Sequence, residues 1–168
     1  MKIFLIGFMG CGKSTLGRKL AARLGYTLID LDHQLEERAG SSVADYFSAH
    51  GEEAFRKFES DTLKSFDYPK NCVVATGGGT PCYFDNMDWM NKNGLTVYIE
   101  MTAAALAKRL ENGMEKRPLL KGLTEEALIA FITEKLAERN TFYQQAKLIM
   151  NGINLTPDTL QAAILADY

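Results

Sequence analysis

The octapeptide Gly7-Phe8-Met9-Gly10-Cys11-Gly12-Lys13-Ser14 constrains this chain more than any other feature. It fits the pattern of a phosphate-cradling loop. Glycines let the backbone wrap closely and turn its N–H groups toward phosphate oxygens. The Lys13 ammonium reaches the outer phosphates, and the Ser14 hydroxyl is a ligand for Mg2+. Such a loop needs a strand before it and a helix after it, with the positive helix end facing the anion. The flanks meet that condition. Lys2–Ile6 reads as a strand, and Leu16, Leu20 and Leu24 recur every fourth residue behind the loop. A glycine-rich turn without a ligand is the alternative, but these fixed positions rarely coincide by chance in an average composition. Cys11 reads as a small residue filling the loop rather than a redox group.

Strand-length apolar runs alternate with helix-period segments along the rest of the chain. Thr27–Leu31, Asn71–Ala75, Leu95–Glu100 and Lys147–Met150 read as further strands. Several are continuously apolar, as strands buried on both faces are. Helices are expected at Lys13–Leu24, stopped by Gly25, and at Val43–His50, Glu52–Phe66 and Asp85–Asn93. Ala103–Glu111, Glu125–Gln145 behind a Thr124 cap, and Asp158–Ala166 complete the set. This alternation predicts an α/β fold, a three-layer α/β/α sandwich around a five-stranded parallel sheet. Ligands then belong beyond the carboxyl ends of the strands. The polar stretch from Asn112 to Gly122, with a glycine near each end, reads as a mobile loop between two helices.

At 168 residues the chain is expected to form one domain, 1–168, with a sizeable core. Net charge is −2 and no stretch is strongly basic, which argues against nucleic acid or an anionic membrane as partner. The three cysteines, Cys11, Cys72 and Cys82, are odd in number and match no zinc spacing, so a reduced, cytoplasmic protein is expected. Lys2 and Ile3–Ile6 before Gly10-Cys11 faintly resemble a lipoprotein signal, but Gly7 breaks the apolar run too early. No run approaches the length of a membrane span. Nothing marks an oligomer interface, so a monomer is expected; Met87, Trp89 and Met90 read as core.

Several polar groups fall where the phosphates should be. Asp30 and Asp32 are read as closing the second strand on one face. One can hold magnesium through water and the other can accept a hydroxyl proton; alternatively Asp32 is only a helix N-cap. Gly77-Gly78-Gly79, after the third strand, exposes backbone donors or is an ordinary turn. Arg56 and Glu59 stand at i, i+3, either as a surface ion pair or as an arginine fork oriented by its carboxylate. Arg117 in the polar loop suits a mobile charge closing on a transferring phosphate, and Arg139 suits a second carboxylate clamp. For any one of these arginines alone, a solvated surface role competes.

Together these pieces resemble the shikimate kinase family. The likeness runs from Ile3 to about Ala146. It rests on the phosphate loop with Ser14-Thr15, Leu28-Ile29-Asp30-Leu31-Asp32, Phe55-Arg56-Lys57-Phe58-Glu59, the triple glycine, Arg117-Pro118-Leu119-Leu120, and Glu138-Arg139 before Phe142-Tyr143. The loop alone is shared with many kinases; the later motifs in this order are far more specific. The resemblance implies a fold of the phosphate-loop NTPase type, as in nucleoside monophosphate kinases. It also implies ATP with Mg2+ as cosubstrate and metal, and shikimate as acceptor. On ATP it implies Gly10, Cys11, Gly12, Lys13, Ser14 and Thr15, with Arg109 near adenine and Arg117 as the lid arginine. On shikimate it implies Asp32 as base, Arg56 and Arg139 gripping the carboxylate, and Glu59 fixing the arginine. Gly77, Gly78 and Gly79 supply backbone contacts, with Phe47 and Phe55 as apolar walls. Asp30, through water, and Ser14 fall to the metal, Lys13 and Arg117 to catalysis. The acceptor-binding helical segment is expected over about 32–60 and the lid over about 112–122. Two departures stand out. The loop 151–157 lacks an arginine common in the family, leaving Pro157 beside the base, and Cys11 replaces a commoner alanine or serine. Gluconate or another small-molecule kinase, a nucleoside monophosphate kinase, and a non-catalytic nucleotide-dependent module remain the rivals. The lid offers only Arg117 with Lys116 and Lys121, few charges for holding two nucleotides.

Overall fold

The computed structural model describes residues 1–111, 120 and 122–168. Strand β1 (Lys2–Ile6) lies at the centre of the sheet, and Ile3 through Ile6 are wholly buried. It pairs in parallel with β3 (Cys72–Ala75) on one side and β4 (Leu95–Glu100) on the other. Strands β2 (Thr27–Asp30) and β5 (Leu148–Asn151) close the edges, giving the parallel order β2-β3-β1-β4-β5. The edge strands carry fewer apolar residues inward: Leu28 and Ile149 are exposed.

Alternate β1 side chains feed two cores, as period-2 geometry requires. Ile3 and Leu5 join Val73 and Val97 beneath α1 (Lys13–Leu24) and α7 (Pro157–Asp167), through Leu20, Ala21, Leu160 and Ile164. Phe4 and Ile6 join Val74 and Tyr98 on the opposite face. There α2 (Leu31–Ala39), α3 (Val43–Ser65), α4 (Asn86–Asn93) and the end of α6 (Glu125–Tyr143) supply Leu35, Leu63, Met90 and Tyr143. A third cluster gathers Phe8, Cys11 and Leu16 against α5 (Ala103–Leu110) and the first turns of α6. The result is the three-layer α/β/α sandwich expected from the strand–helix alternation. Met87 and Met90 are buried and Trp89 packs edge-on against Phe4, so this segment is core.

The helix signals act through identifiable atoms. Thr102, Thr124 and Thr156 each accept a backbone N–H three residues on, and Pro157 starts α7 where no donor is needed. Gly25 ends α1 in the left-handed region, as expected. The break expected between two helices near Gly51 is a kink inside α3, where Gly51 adopts φ 86°.

Two expectations need correction. Strand β2 stops at Asp30, not Leu31, and Leu31 is the first residue of α2. Asp30 is the reason: its carboxylate accepts from the N–H groups of Asp32 and His33 and starts the helix. Asp30 is therefore the N-cap, and Asp32 lies in the first helical turn rather than on one strand face with it. After the triple glycine, Thr80–Cys82 winds a 3-10 turn. The lid expected over about 112–122, with Arg117, lies almost entirely outside the described residues; of its span only the buried Leu120 and Gly122 are described.

Candidate active site

One cavity of about 640 Å3 opens beyond the carboxyl ends of β1, β2 and β3, at the point where the chain runs to either side of β1. Its phosphate half is built by the loop leaving β1. Lys13 is buried, and its ammonium donates to the carbonyls of Gly7 (2.6 Å) and Phe8 (3.0 Å). Gly12 precedes α1 at φ 99°, so the first amides of the helix face the loop without a side-chain cap. Gly10, Gly12, Ser14 and Thr15 line the cavity. Cys11 does not; its side chain is buried, filling the loop interior. Arg109 reaches over from α5, with its guanidinium 3.4 Å from the Gly10 carbonyl.

The loop after β3 forms the shared wall. Thr76 ties it to β1, donating through both its backbone N–H and its hydroxyl to the Leu5 carbonyl. A methyl group placed on Gly78 would stand 3.3 Å from the Met9 nitrogen and 3.3 Å from Arg139 Nη1. The triple glycine thus lets a phosphate-loop backbone and an arginine from α6 converge on it. Tyr143, one helical turn after Arg139, donates its hydroxyl to the Gly78 carbonyl and stacks on Tyr98.

The acceptor half lies between α2, α3 and α6. Asp32 lines the cavity and keeps exposed surface there, while the protein atoms packed around its carboxyl cost it hydration. Its carboxyl is raised from 3.8 to about 6, chiefly by desolvation, then by the charges of Asp30 and Glu59, against the pull of Lys13. Glu59 is 1% exposed and also raised, by burial, opposed by Arg56, the Thr80 hydroxyl and Arg139. Arg56 donates to Glu59 (3.2 Å) and lies over the Tyr83 ring, 4.2 Å from its centroid. Arg139 lies 5.3 Å from the Phe8 ring centroid. Among the described residues, Arg56 Nε and Arg139 Nη1 are buried without a hydrogen-bond acceptor. Buried guanidinium donors without acceptors are costly, and both arginines border the same cavity. Two guanidinium groups on one cavity suit an anion.

Of the residues singled out in the sequence, the cavity gathers Gly10, Gly12, Lys13, Ser14, Thr15, Asp32, Phe55, Arg56, Glu59, the three glycines, Arg109 and Arg139. Phe47 stands behind Phe55, ring centroids 5.7 Å apart, and Pro157 and Asp30 lie off the cavity wall. Arg117 is outside the described residues. Met9, Val43 and Thr76 line the cavity without having been anticipated. Met9 and Tyr143 lie within the sequence motifs, but no role was assigned to them; the contacts of Thr76, Thr80 and Tyr143 come from long-range packing.

A phosphate loop, a raised carboxyl and two guanidinium groups in one cleft of a parallel sheet define a small-molecule phosphotransferase of the phosphate-loop class. Residues 9–167 match the family profile for shikimate kinase. A shikimate kinase of Parabacteroides distasonis is 46% identical over 90% of this chain and 87% of its own length. The crystal structure of shikimate kinase from Bacteroides thetaiotaomicron superposes with a TM-score of 0.91 at 38% identity, covering 98% of each chain. The Acinetobacter baumannii enzyme in complex with shikimate gives 0.86 at 29% identity, over 99% of this chain and 93% of that one. The chain belongs to the shikimate kinase family, and it is an ATP-dependent kinase acting on an alcohol group.

Proposed function

We propose that this protein transfers the γ-phosphoryl group of ATP to the 3-hydroxyl of shikimate, giving shikimate 3-phosphate and ADP, within chorismate and aromatic amino acid biosynthesis. The observation that supports the reading is that the guanidinium groups of Arg56 and Arg139 line the same cavity as Asp32 and the phosphate loop. Two guanidinium groups suit a small acid with one carboxylate, and Asp32 suits its hydroxyl.

Asp32 accepts the hydroxyl proton as the acceptor oxygen bonds to the γ-phosphorus and the bond to the ADP oxygen breaks. Lys13 neutralises charge on the phosphates, and leaves its carbonyl partners Gly7 and Phe8 to do so. Gly77, Gly78 and Gly79 offer backbone to the acceptor, with Phe55 and, behind it, Phe47 as apolar wall. Arg109 and Pro157 are assigned to the adenine side, and Arg117 to the transferring phosphate by family resemblance alone. The donor set fits Mg2+. Ser14 lines the phosphate half, while Asp30, assigned to the metal through water, lies off the cavity wall with its Oδ1 capping α2. Magnesium binds by few protein oxygens plus water and phosphate. When bound it neutralises phosphate charge. We further propose a monomer working in the cytoplasm, a reading that the three free cysteines support.

The test is ADP release measured with shikimate, gluconate, AMP and CMP in parallel. Shikimate alone is expected to drive turnover. Turnover with gluconate or a nucleotide instead would replace the acceptor, and release with none of them would leave a nucleotide-dependent binding module.

A further inference from the structure

Behind the acceptor half of the cavity runs a polar chain that the reaction does not itself use. Ser60 Oγ donates to Asn86 Oδ1 (2.7 Å), and Asn86 Nδ2 donates to the Thr80 carbonyl (2.9 Å). Thr80 Oγ1 donates to Glu59 Oε2 (2.9 Å), while Glu59 Oε1 accepts from Arg56 Nη1. Thr80 and Asn86 are 0% exposed and Ser60 is 3% exposed. The chain joins α3, the 3-10 turn and the start of α4.

Its direction is fixed by chemistry. Arginine has only donors, so a Glu59 carboxylate that serves Arg56 can only accept. The Thr80 hydroxyl must then donate. The Asn86 amide must turn its NH2 to the Thr80 carbonyl and its oxygen to Ser60. Any other arrangement sets buried donors or acceptors against their own kind. The consequence falls on Arg56. With Oε2 held by Thr80, Glu59 offers Oε1 to Arg56 Nη1, and Arg56 Nε stays 3.8 Å from Glu52, beyond hydrogen-bond length. Arg56 lines the cavity, and its Nη2 takes no part in these bonds.

We propose that Thr80, backed by Asn86 and Ser60, is a positioning residue for acceptor recognition. It holds the Glu59 carboxylate oriented, so that Arg56 presents the cavity side of its guanidinium to the acceptor's carboxylate. Thr80 does not line the cavity and acts only through Glu59 and Arg56. The proposal rests on shikimate being the acceptor.

Thr80→Val keeps the shape and removes the donor. The KM for shikimate is expected to rise about 10-fold or more, the usual consequence of losing a hydrogen bond to a buried charge. The KM for ATP is expected to stay within about 2-fold, because the phosphate half is untouched. Thr80→Ser should restore the wild-type value. On an Arg56→Ala background, Thr80→Val should add less than about 2-fold, since the two act as one unit. A full effect on that background, or equal rises in both KM values, would overturn the proposal. Should Thr80→Val fail to fold, Ser60→Ala cuts the chain at its far end. A rise of about 2- to 5-fold in shikimate KM is expected there, and an unchanged KM overturns the proposal. No shikimate-dependent turnover in the wild type would instead sink the acceptor assignment, which separates the two failures.

Discussion

Asp32 concentrates the chemistry at the scale of one residue. Its carboxyl sits near 6 because burial, Asp30 and Glu59 all disfavour its charge. A base so tuned is stronger than a solvent-exposed aspartate yet ionised at neutral pH. The acid limb of kcat/KM is therefore expected near pH 6 rather than near 4, as a property of the coupled carboxylates. Asp32→Asn should cut turnover by about 10²–10⁴-fold while ATP affinity holds. The same shift has a sign for stability. The folded value lies above the unfolded one, so the folded state gains from the protonated group below pH 4 and loses that gain as pH rises through about 6. Asn cannot ionise, so the variant should melt higher than the wild type at pH 8, keep part of that advantage at pH 5 and lose most of it by pH 4. A variant less stable at pH 8 would show that the Asp32 charge favours the first turn of its helix, and one that turns over normally would remove Asp32 from the base role.

At the scale of elements, the central strands and most helices were legible because their signals are local. The apolar run Ile3–Ile6, the repeat Leu16, Leu20, Leu24 and the Thr124 cap each act within a few residues. The end of β2 was misread because Leu31 is as apolar as a strand residue; only the cap bonds of Asp30 decide in favour of helix. The phosphate loop and triple glycine were legible as motifs, whereas the contacts of Thr80, Tyr143 and Thr76 were not. Their partners lie 21, 65 and 71 residues away, where sequence spacing says nothing. The triple glycine also gives an element-level prediction. Gly79 has ordinary right-handed backbone angles, so alanine fits the chain there. Its methyl, however, would stand 2.6 Å from Arg56 Nη1. The guanidinium is the free end of a long side chain and can swing aside, so the fold is expected to survive. Displacing a binding group by about 1 Å costs up to about 100-fold, so Gly79→Ala should raise shikimate KM by about 10- to 100-fold with ATP KM nearly constant. An unchanged shikimate KM with a folded variant would free Arg56 from the substrate role.

At the scale of the whole molecule, the cavity is two half-sites resting on different cores. The phosphate loop is backed by Phe8, Cys11 and Leu16 against α5, and the acceptor side by Leu35, Phe55 and Tyr143 on the α3 and α6 face. They meet along the carboxyl ends of β1 and β3, where Tyr143 holds Gly78 and Arg139 lies over Phe8. Each ligand should then stabilise the fold through its own half. A ligand at about 100 times its Kd contributes about 2.7 kcal/mol, which for a chain of this size is about 5–10 °C in Tm. Shikimate and MgATP, added separately, are each expected to give a shift of that order. Arg56→Ala should abolish the shikimate shift and keep the MgATP shift, because Arg56 belongs to α3 and is held by Glu59 against Phe55 and Tyr83 on the acceptor side. Lys13→Ala should do the reverse, because the Lys13 ammonium is bound within the loop itself. If either substitution removed both shifts, the halves would be one cooperative unit. The acceptor contacts would then depend on the phosphate loop, and the separate cores beneath them would not explain how the site is held.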